Sequence, residues 1–318
     1  MTSRIPWAVA GLLGAAIAVA WAQETVFRVD VRLVRLLATV KDLNGEPVGG
    51  LQKTDFTVYD SSVVQEIALF ERHTETPLSV ALLVDTSAST AKKLKQETVS
   101  VLAFLRTFFG EGHPEDAVAL YSFDHDVTLQ SSFTRRMTRL ENELRRLRAE
   151  AGTSLYDAIY FAARSLESRR GRRVILIVSD GADTTSAKTF QEALEAAHAA
   201  DAAIYAVLVV PVEADAGRHI AGENALIGLG TATGGKVFSA TLGERLDAVF
   251  SEILRDLRTQ YLIGYYPKNL PYSKERFHRI EVKMNRPDLR VVTRSGYYVD
   301  YEGTTERGPT SGGPFRIP

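Results

Sequence analysis

The stretch that decides the fold is Leu78 to Ser89, which reads LSVALLVDTSAS. Its first part, up to Val84, is almost entirely apolar, as in a strand that is buried on both faces of a parallel sheet. Asp85 ends the apolar run, and two serines follow at alternate positions, Ser87 and Ser89. Open α/β sheets place ligand sites at the carboxyl ends of their strands, so this pattern indicates a site as well as a strand.

Strands and helices alternate on the carboxyl-terminal side of this stretch. Short apolar runs predict strands, and apolar residues at helical spacing, such as Leu155, Ile159 and Leu166, predict the helices between them. The predicted strands after the first are 117–123, 127–129, 174–178, 203–210 and 236–239. This alternation predicts a doubly wound α/β domain over residues 78–259.

Two segments of β character flank this domain. Residues 23–77 contain short strand-like runs around the tight-turn dipeptide Asn44-Gly45, and residues 260–301 contain further runs. Each segment alone is too small to enclose a core. We therefore expect them to pair into one small β-sandwich with the α/β domain inserted between them, and two separate β appendages are the alternative. Residues 302–318 have little apolar content and are expected to form a flexible tail.

The amino terminus resembles a secretory signal. Arg4 precedes an uncharged run from Trp7 to Ala22, and Ala20-Trp21-Ala22 fits a small-x-small cleavage site. Residues 1–22 are thus expected to be a signal peptide, and an uncleaved amino-terminal anchor is the alternative. This predicts export to the periplasm or the exterior of a bacterial cell.

Composition excludes several classes of function. The chain has 318 residues, with 38 Lys and Arg against 39 Asp and Glu, for a net charge of −1. A near-neutral chain is not expected to bind nucleic acid through bulk electrostatics. It contains no Cys, so disulfides, thiolate zinc sites and cysteine nucleophiles are excluded.

Two further motifs place polar side chains in loops that are expected to lie close to Asp85. Thr153 lies in a Gly-Thr-Ser loop before a predicted helix, and Asp180 directly follows a predicted buried strand. Together with Ser87 and Ser89, these residues offer only oxygen atoms, the ligands that hard cations such as Mg²⁺ prefer. Helix capping is the alternative for the serines, but it does not explain Thr153 or Asp180.

In this order and spacing, Asp85-x-Ser87-x-Ser89, Thr153 and Asp180-Gly181 resemble the metal-ion-dependent adhesion site of the von Willebrand factor type A domain family. The resemblance implies a six-stranded sheet with one antiparallel edge strand, a bound Mg²⁺ (or Mn²⁺ or Ca²⁺), and ligand binding without catalysis. It also implies that the three hydroxyls contact the ion directly, that the two Asp residues act largely through water, and that a carboxylate of the partner completes the shell. Many members have Gly where this chain has Ala88.

The flanking segments are similar to those of a family of secreted bacterial proteins called VWFA-related. The similarity rests on residues 40–48, 51–59, 261–267 and 295–298. It implies that extra β segments surround the adhesion-type domain, and it implies little about mechanism.

Other motifs favour ordinary structural roles. Gly230 to Lys236 matches the start of a phosphate-binding loop, but Val237 and a predicted strand follow where Ser or Thr and a helix are required. We interpret Gly234-Gly235 as the end of a helix. His125 is interpreted as a solvated residue of a hairpin turn. The arginine-rich stretches at 135–148 and 169–173 are interpreted as solvated helix faces, with a docking surface for an anionic partner as the alternative.

The sequence thus predicts an exported, non-enzymatic binding protein that captures an Asp or Glu of a protein partner through a divalent cation. The alternative is a cell-envelope scaffold whose contacts are made by the β domain and whose metal site is vestigial. A metal-assisted hydrolase is disfavoured, because the five oxygen ligands include no spare general base.

Overall fold

The computed structural model describes residues 33–72, 76–209, 219–240, 244–271 and 276–299. The expected signal peptide (1–22) and the expected tail (302–318) lie outside the described residues. The amino-terminal β segment contains the strands β1 (Val34–Lys41), β2 (Phe56–Asp60), β3 (Val63–Gln65) and β4 (Ile67–Arg72).

The α/β segment follows. It contains β5 (Leu78–Asp85), α1 (Leu94–Gly110), β6 (Ala117–Phe123), β7 (Val127–Thr134), α2 (Met137–Arg146), α3 (Leu155–Leu166), β8 (Arg172–Ser179), α4 (Phe190–Ala199), β9 (Ala202–Val209), α5 (Ile220–Thr233), β10 (Val237–Ala240) and α6 (Glu244–Thr259). The chain then returns to β structure with β11 (Tyr261–Tyr265), β12 (Phe277–Met284), β13 (Arg290–Val292) and β14 (Gly296–Tyr298).

The central sheet has the strand order β10-β9-β8-β5-β6-β7. Its strands pair in parallel except at the edge, where β7 runs antiparallel to β6. Helices α1, α2 and α6 cover one face, and α3, α4 and α5 cover the other. The expected doubly wound domain with one antiparallel edge strand is confirmed.

The apolar run of β5 explains why this strand lies at the centre of the sheet. Successive side chains point to opposite faces, so Leu82 and Val84 join the core under α1 while Ala81 and Leu83 join the core under α3. All four side chains are fully buried. A strand with apolar residues at every position can bury both faces only between two layers of helices.

The two β segments form one sandwich, as expected. One sheet has the order β13-β1-β11-β4 and the other has the order β14-β12-β2-β3, so each sheet contains strands from both ends of the chain. Leu36 pairs with Ile263 in the first sheet, and Val58 pairs with Val282 in the second. These residues belong to one apolar cluster between the sheets, which is the shared core that neither segment could build alone.

A buried carboxylate joins the two halves of the sandwich. Asp60, at the end of β2, is fully buried. Its Oδ2 accepts hydrogen bonds from the hydroxyls of Tyr265 (2.8 Å) and Tyr297 (2.9 Å), and its Oδ1 lies 3.3 Å from Nδ1 of His278. All three partners come from the carboxyl-terminal segment, so Asp60 fixes the pairing of the segments as well as contributing to the core.

Arg294 connects the sandwich to the α/β segment. Its guanidinium donates hydrogen bonds to Asp201 Oδ1 (2.7 Å) and to the carbonyl oxygen of Arg35 (2.8 Å). Arg294 is buried. The charged hydrogen bond therefore holds the turn after α4 against β1.

Several details differ from the sequence-based expectation. Strand β7 extends to Thr134, because an antiparallel edge strand tolerates the polar residues that ended the predicted run. The interpretation of the second arginine stretch as solvated is wrong for Arg172, which is buried at the start of β8 and donates a hydrogen bond to the carbonyl oxygen of Leu257. Strands β3 and β14 were not predicted, because three residues carry too little periodicity.

The interpretation of Gly234 as a helix end is confirmed. Gly234 terminates α5 with a φ of +78°, and β10 follows it. A phosphate-binding loop would require a helix there. No helix in the described part of the chain is both long enough and apolar enough to span a membrane.

Candidate functional site

Asp85 occupies the carboxyl end of β5, at the sheet edge where the site was expected. Its side chain is fully buried. Oδ1 accepts a hydrogen bond from the backbone N–H of Ser87 (2.8 Å), and Oδ2 accepts one from the hydroxyl of Ser179 (2.6 Å). Both oxygens are thereby held in place, and each keeps a lone pair for another partner.

The two predicted serines lie in one tight turn after β5. Residues Ala88–Thr90 form a short 3-10 helix, and the hydroxyl oxygens of Ser87 and Ser89 are 3.0 Å apart. The hydroxyl of Thr90 donates to the carbonyl oxygens of Asp85 (3.1 Å) and Ser87 (2.8 Å), which fixes the turn. Ser87 is buried and Ser89 is exposed, so the pair reaches from the protein interior to its surface.

Thr153 lies in the loop before α3 and is buried. The loop can form because Gly152 has a φ of +88°, where L side chains are strained. A Cβ atom at this position would also lie 3.0 Å from the Cα of His125. The backbone N–H of Thr153 donates to the hydroxyls of Thr184 (3.0 Å) and Thr185 (3.2 Å), in the loop after β8.

Asp180 directly follows β8 and is partly exposed. Its Oδ1 accepts a hydrogen bond from the backbone N–H of Ala182 (3.2 Å). Gly181, the next residue, has a φ of +89° and packs closely against Gly222. The Ser-Asp-Gly sequence therefore turns the chain sharply at the sheet edge and leaves the carboxylate of Asp180 near the surface.

Backbone hydrogen bonds join the three loops that carry these residues. The N–H of Glu150 donates to the carbonyl oxygen of Thr86 (2.8 Å), and the N–H of Thr184 donates to that of Thr153 (2.8 Å). The structure thus brings all five predicted residues to the edge of the central sheet that is formed by the carboxyl ends of its parallel strands. The hydroxyls of Ser87 and Ser89 are in direct contact, while Asp180 and Thr153 approach from neighbouring loops.

The electrostatics of the site oppose ionisation of Asp85. The pKa of its carboxyl is raised to about 6: burial is the main cause, the hydrogen bonds from Ser179 and Ser87 oppose it, and the charge of Asp180 adds a smaller upward effect. The two carboxylates repel each other in their charged forms. A cation between them would relieve that repulsion.

The family comparison covers all five residues. The family model for the von Willebrand factor type A domain matches residues 80–182, from β5 to the Ser-Asp-Gly turn. The chain contains a type A domain. The predicted recognition is confirmed for this region, and the search among curated proteins found no match.

Solved structures resemble the fold more distantly. The vWF domain of the pilus tip protein Mfa5 from Porphyromonas gingivalis is 16% identical, with 57% of this chain and 94% of that chain covered at a TM-score of 0.48. BatB from Bacteroides thetaiotaomicron is 17% identical, with 57% of this chain and 100% of that chain covered at a TM-score of 0.43. The PilB minor pilin of Streptococcus sanguinis is 12% identical, with 57% of this chain and 61% of that chain covered at a TM-score of 0.46. Identities this low indicate at most a common fold.

The residues of the type A domain fit a hard divalent cation. All five side chains present oxygen, two of them as carboxylates. Among the described residues no group of three or more His, Cys, Asp or Glu could hold a metal ion, so a site here must include the hydroxyls. Glu97 lies nearby, in the first turn of α1, and its carboxyl is fully buried. Neither of its two oxygens has a hydrogen-bond partner among the residues that the structure describes.

Sequence reasoning missed several residues that support the site. Ser179 orients Asp85, and Thr184 and Thr185 hold the loop of Thr153. The hydroxyl of Thr86 donates to Asp124 Oδ2 (2.9 Å), which places the turn at residues 124–126 beside the serine loop. A signal was present for Ser179 alone, because it belongs to the Ser-Asp-Gly motif.

Proposed function

We propose that this protein is an exported binding protein that captures an acidic side chain of a protein partner through a divalent cation. Asp85, Ser87, Ser89, Thr153 and Asp180 would hold the cation. The observation that supports this proposal is the convergence of five oxygen-bearing side chains on one sheet edge, from three loops joined by hydrogen bonds. The type A family match over the same residues is the second support.

Each residue of the site has a separate role in this proposal. Asp85, fixed by Ser179 and by the backbone of Ser87, supplies negative charge from the buried side. Ser87, Ser89 and Thr153 supply neutral oxygens, and Asp180 supplies charge from the solvent side. When bound, the cation would supply positive charge that attracts a carboxylate of the partner. Two carboxylates and three neutral hydroxyls leave room for that additional ligand oxygen.

The side-chain contacts of the Ser87 and Ser89 hydroxyls favour a binding role over catalysis. The side-chain oxygen of Ser87 contacts that of Ser89, and neither bonds to a His side chain in the described part of the chain. An activated nucleophile requires an adjacent base. We therefore propose a non-enzymatic role, with export directed by residues 1–22.

Metal binding is tested by melting the metal-stripped protein with and without Mg²⁺ or Mn²⁺. We expect the ion to raise the melting temperature, because a ligand that binds only the folded state stabilises it. The double substitution Asp85→Ala, Asp180→Ala should remove this gain. An unchanged melting temperature at millimolar Mg²⁺ and Mn²⁺ would contradict the metal site.

Partner capture is tested with Thr153→Ala, which removes one neutral oxygen without changing the net charge. Immobilised protein is exposed to cell-envelope extract with Mg²⁺ or with chelator. We expect Thr153→Ala to capture far less partner than the parent, with a folding change of about 1 kcal/mol or less. Thr231→Ala, an exposed position in α5, is the matched control and should behave like the parent. Equal capture by Thr153→Ala would favour the scaffold alternative, in which the β domain makes the contacts.

A further inference from the structure

We infer that Glu97 is a positioning residue of the metal site, a third carboxylate that stabilises the cation from the buried side without coordinating it. This inference rests on the proposed function and goes beyond it, because neither the motif nor the family match assigns Glu97 a role. Three observations carry the inference: the placement of Glu97, its unpaired oxygens and its electrostatic neighbours.

Glu97 lies between the proposed metal site and the hydrophobic core under α1. It belongs to the first turn of α1, the helix that follows the serine loop, and it is fully buried. One turn earlier, the Nζ of Lys93 donates a hydrogen bond to the carbonyl oxygen of Val209 (3.2 Å), at the carboxyl end of β9. The start of α1 is thereby held against the same sheet edge that carries Asp85 and Asp180.

Neither oxygen of Glu97 has a hydrogen-bond partner within the part of the chain that the structure describes. The other deeply buried carboxylates differ. Both oxygens of Asp60 and of Asp85 accept hydrogen bonds, and Asp256 forms an ion pair with Lys41 (3.0 Å). A buried carboxyl without partners is costly for the folded state, and an apolar side chain would be cheaper. A structural role in the core therefore does not explain why this position holds Glu.

The charges around Glu97 are those of the metal site. The pKa of Glu97 is raised to about 8, mainly by burial and also by the charges of Asp85 and Asp180, while the charge of Lys93 opposes the rise. Three carboxyls therefore interact at one sheet edge. They do not form a cluster tight enough to coordinate one ion together. Glu97 thus acts on the cation through its charge, because Coulombic attraction is strong between groups that are shielded from water.

The test compares Glu97→Gln with the parent in the full chain, using Mn²⁺ alone as the probe. Affinity is measured by calorimetric titration, and the melting temperature is measured on the metal-stripped proteins. We expect Glu97→Gln to melt at the same or a higher temperature than the parent and to bind Mn²⁺ about 10-fold more weakly. A merely structural Glu97 would not produce this combination.

Asp256→Asn is the matched control, because Asp256 is also buried and also has one unpaired oxygen, but it lies at the end of α6. It should lower the melting temperature and leave Mn²⁺ affinity unchanged. If Glu97→Gln does not fold, Glu97→Leu removes the same charge with an apolar side chain and is read in the same way.

The outcomes separate this inference from the proposed function. Failure of the parent itself to bind Mn²⁺ would overturn the metal site and the role of Glu97 together. Normal binding by the parent with equal affinity for either Glu97 variant would overturn the role of Glu97 alone.

Discussion

Single residues of this protein show two solutions to burying a polar group. Asp60 receives a donor at each oxygen, which is the usual arrangement in a protein interior. Asp85 also has a donor at each oxygen, whereas Glu97, which is as deeply buried, has none among the described residues. The first solution stabilises the fold. The second destabilises the metal-free protein, because burial raises the pKa of Glu97 to about 8 and so favours the neutral carboxyl, while a bound cation would favour the charged form.

His198, near the end of α4, follows a third pattern. Its ring stacks on Phe277, its Nε2 lies 3.0 Å from the carbonyl oxygen of Ala232, and burial lowers its pKa to about 4. The folded state therefore favours the neutral ring. The stabilisation this gives is present above the unfolded pKa of about 6.5 and is lost as the pH falls through the folded pKa.

We expect His198→Gln to reduce the acid sensitivity of the protein. The Gln amide can keep a hydrogen bond to Ala232 but does not titrate. The loss of unfolding free energy between pH 7 and pH 4 should shrink by roughly 3 kcal/mol at most, because one pKa unit corresponds to about 1.4 kcal/mol. Urea denaturation at both pH values measures this difference. An identical pH dependence in parent and variant would show that His198 is not the titrating group.

At the scale of single elements, the sequence predicted every strand of the central sheet and missed β3 and β14, the two short edge strands of one sandwich sheet. The apolar runs of β5 and β8 are buried on both faces, so they have no other place in a fold. Strand β3 has three residues and depends on pairing with β2, a tertiary contact that no local pattern encodes. For the same reason the motif identified Asp180 but not Thr184 or Thr185, which act through contacts between loops.

The end of α5 provides a test at this scale. Gly234 has a φ of +78°, and a Cβ atom there would lie 2.6 Å from the backbone nitrogen of Arg294. Gly234→Ala should lower the free energy of unfolding by more than 1 kcal/mol, because it combines backbone strain with a clash against main-chain atoms.

Gly49→Ala is the control for this substitution, since an added Cβ would meet no atom within 4 Å and the backbone is not left-handed. Denaturant unfolding of both variants measures the effect. Equal stabilities for the two variants would contradict the strain argument.

At the scale of the whole molecule, the α/β segment and the sandwich depend on each other. The guanidinium of Arg294 bonds to Asp201 and Arg35, and Lys41 of β1 forms an ion pair with Asp256 of α6. The sequence indicated the insertion, because neither flank alone had enough strands. It could not indicate these contacts, because charged residues are common on any surface.

We expect a chain truncated after Thr259 to lose the sandwich. Residues such as Leu36 and Val58 would lose the strands that cover them, since their partners lie in β11 and β12. Limited proteolysis should then cleave residues 33–72 rapidly, while the same segment resists cleavage in the full chain. A protected amino-terminal segment in the truncated chain would show that it folds without the carboxyl-terminal strands.

The pairing of Leu36 with Ile263 also has a consequence for the order in which the chain matures. Of the described strands, β1 is synthesised first, but its partner β11 follows only after the whole α/β segment. Closing so long a loop carries an entropic cost and slows folding, so we expect the sandwich to form after the α/β segment. Until then, one apolar face of β1 to β4 is open to proteases and chaperones. Closure of the sandwich covers this apolar face. In an incompletely synthesised chain the face would stay uncovered, and proteases and chaperones would recognise it.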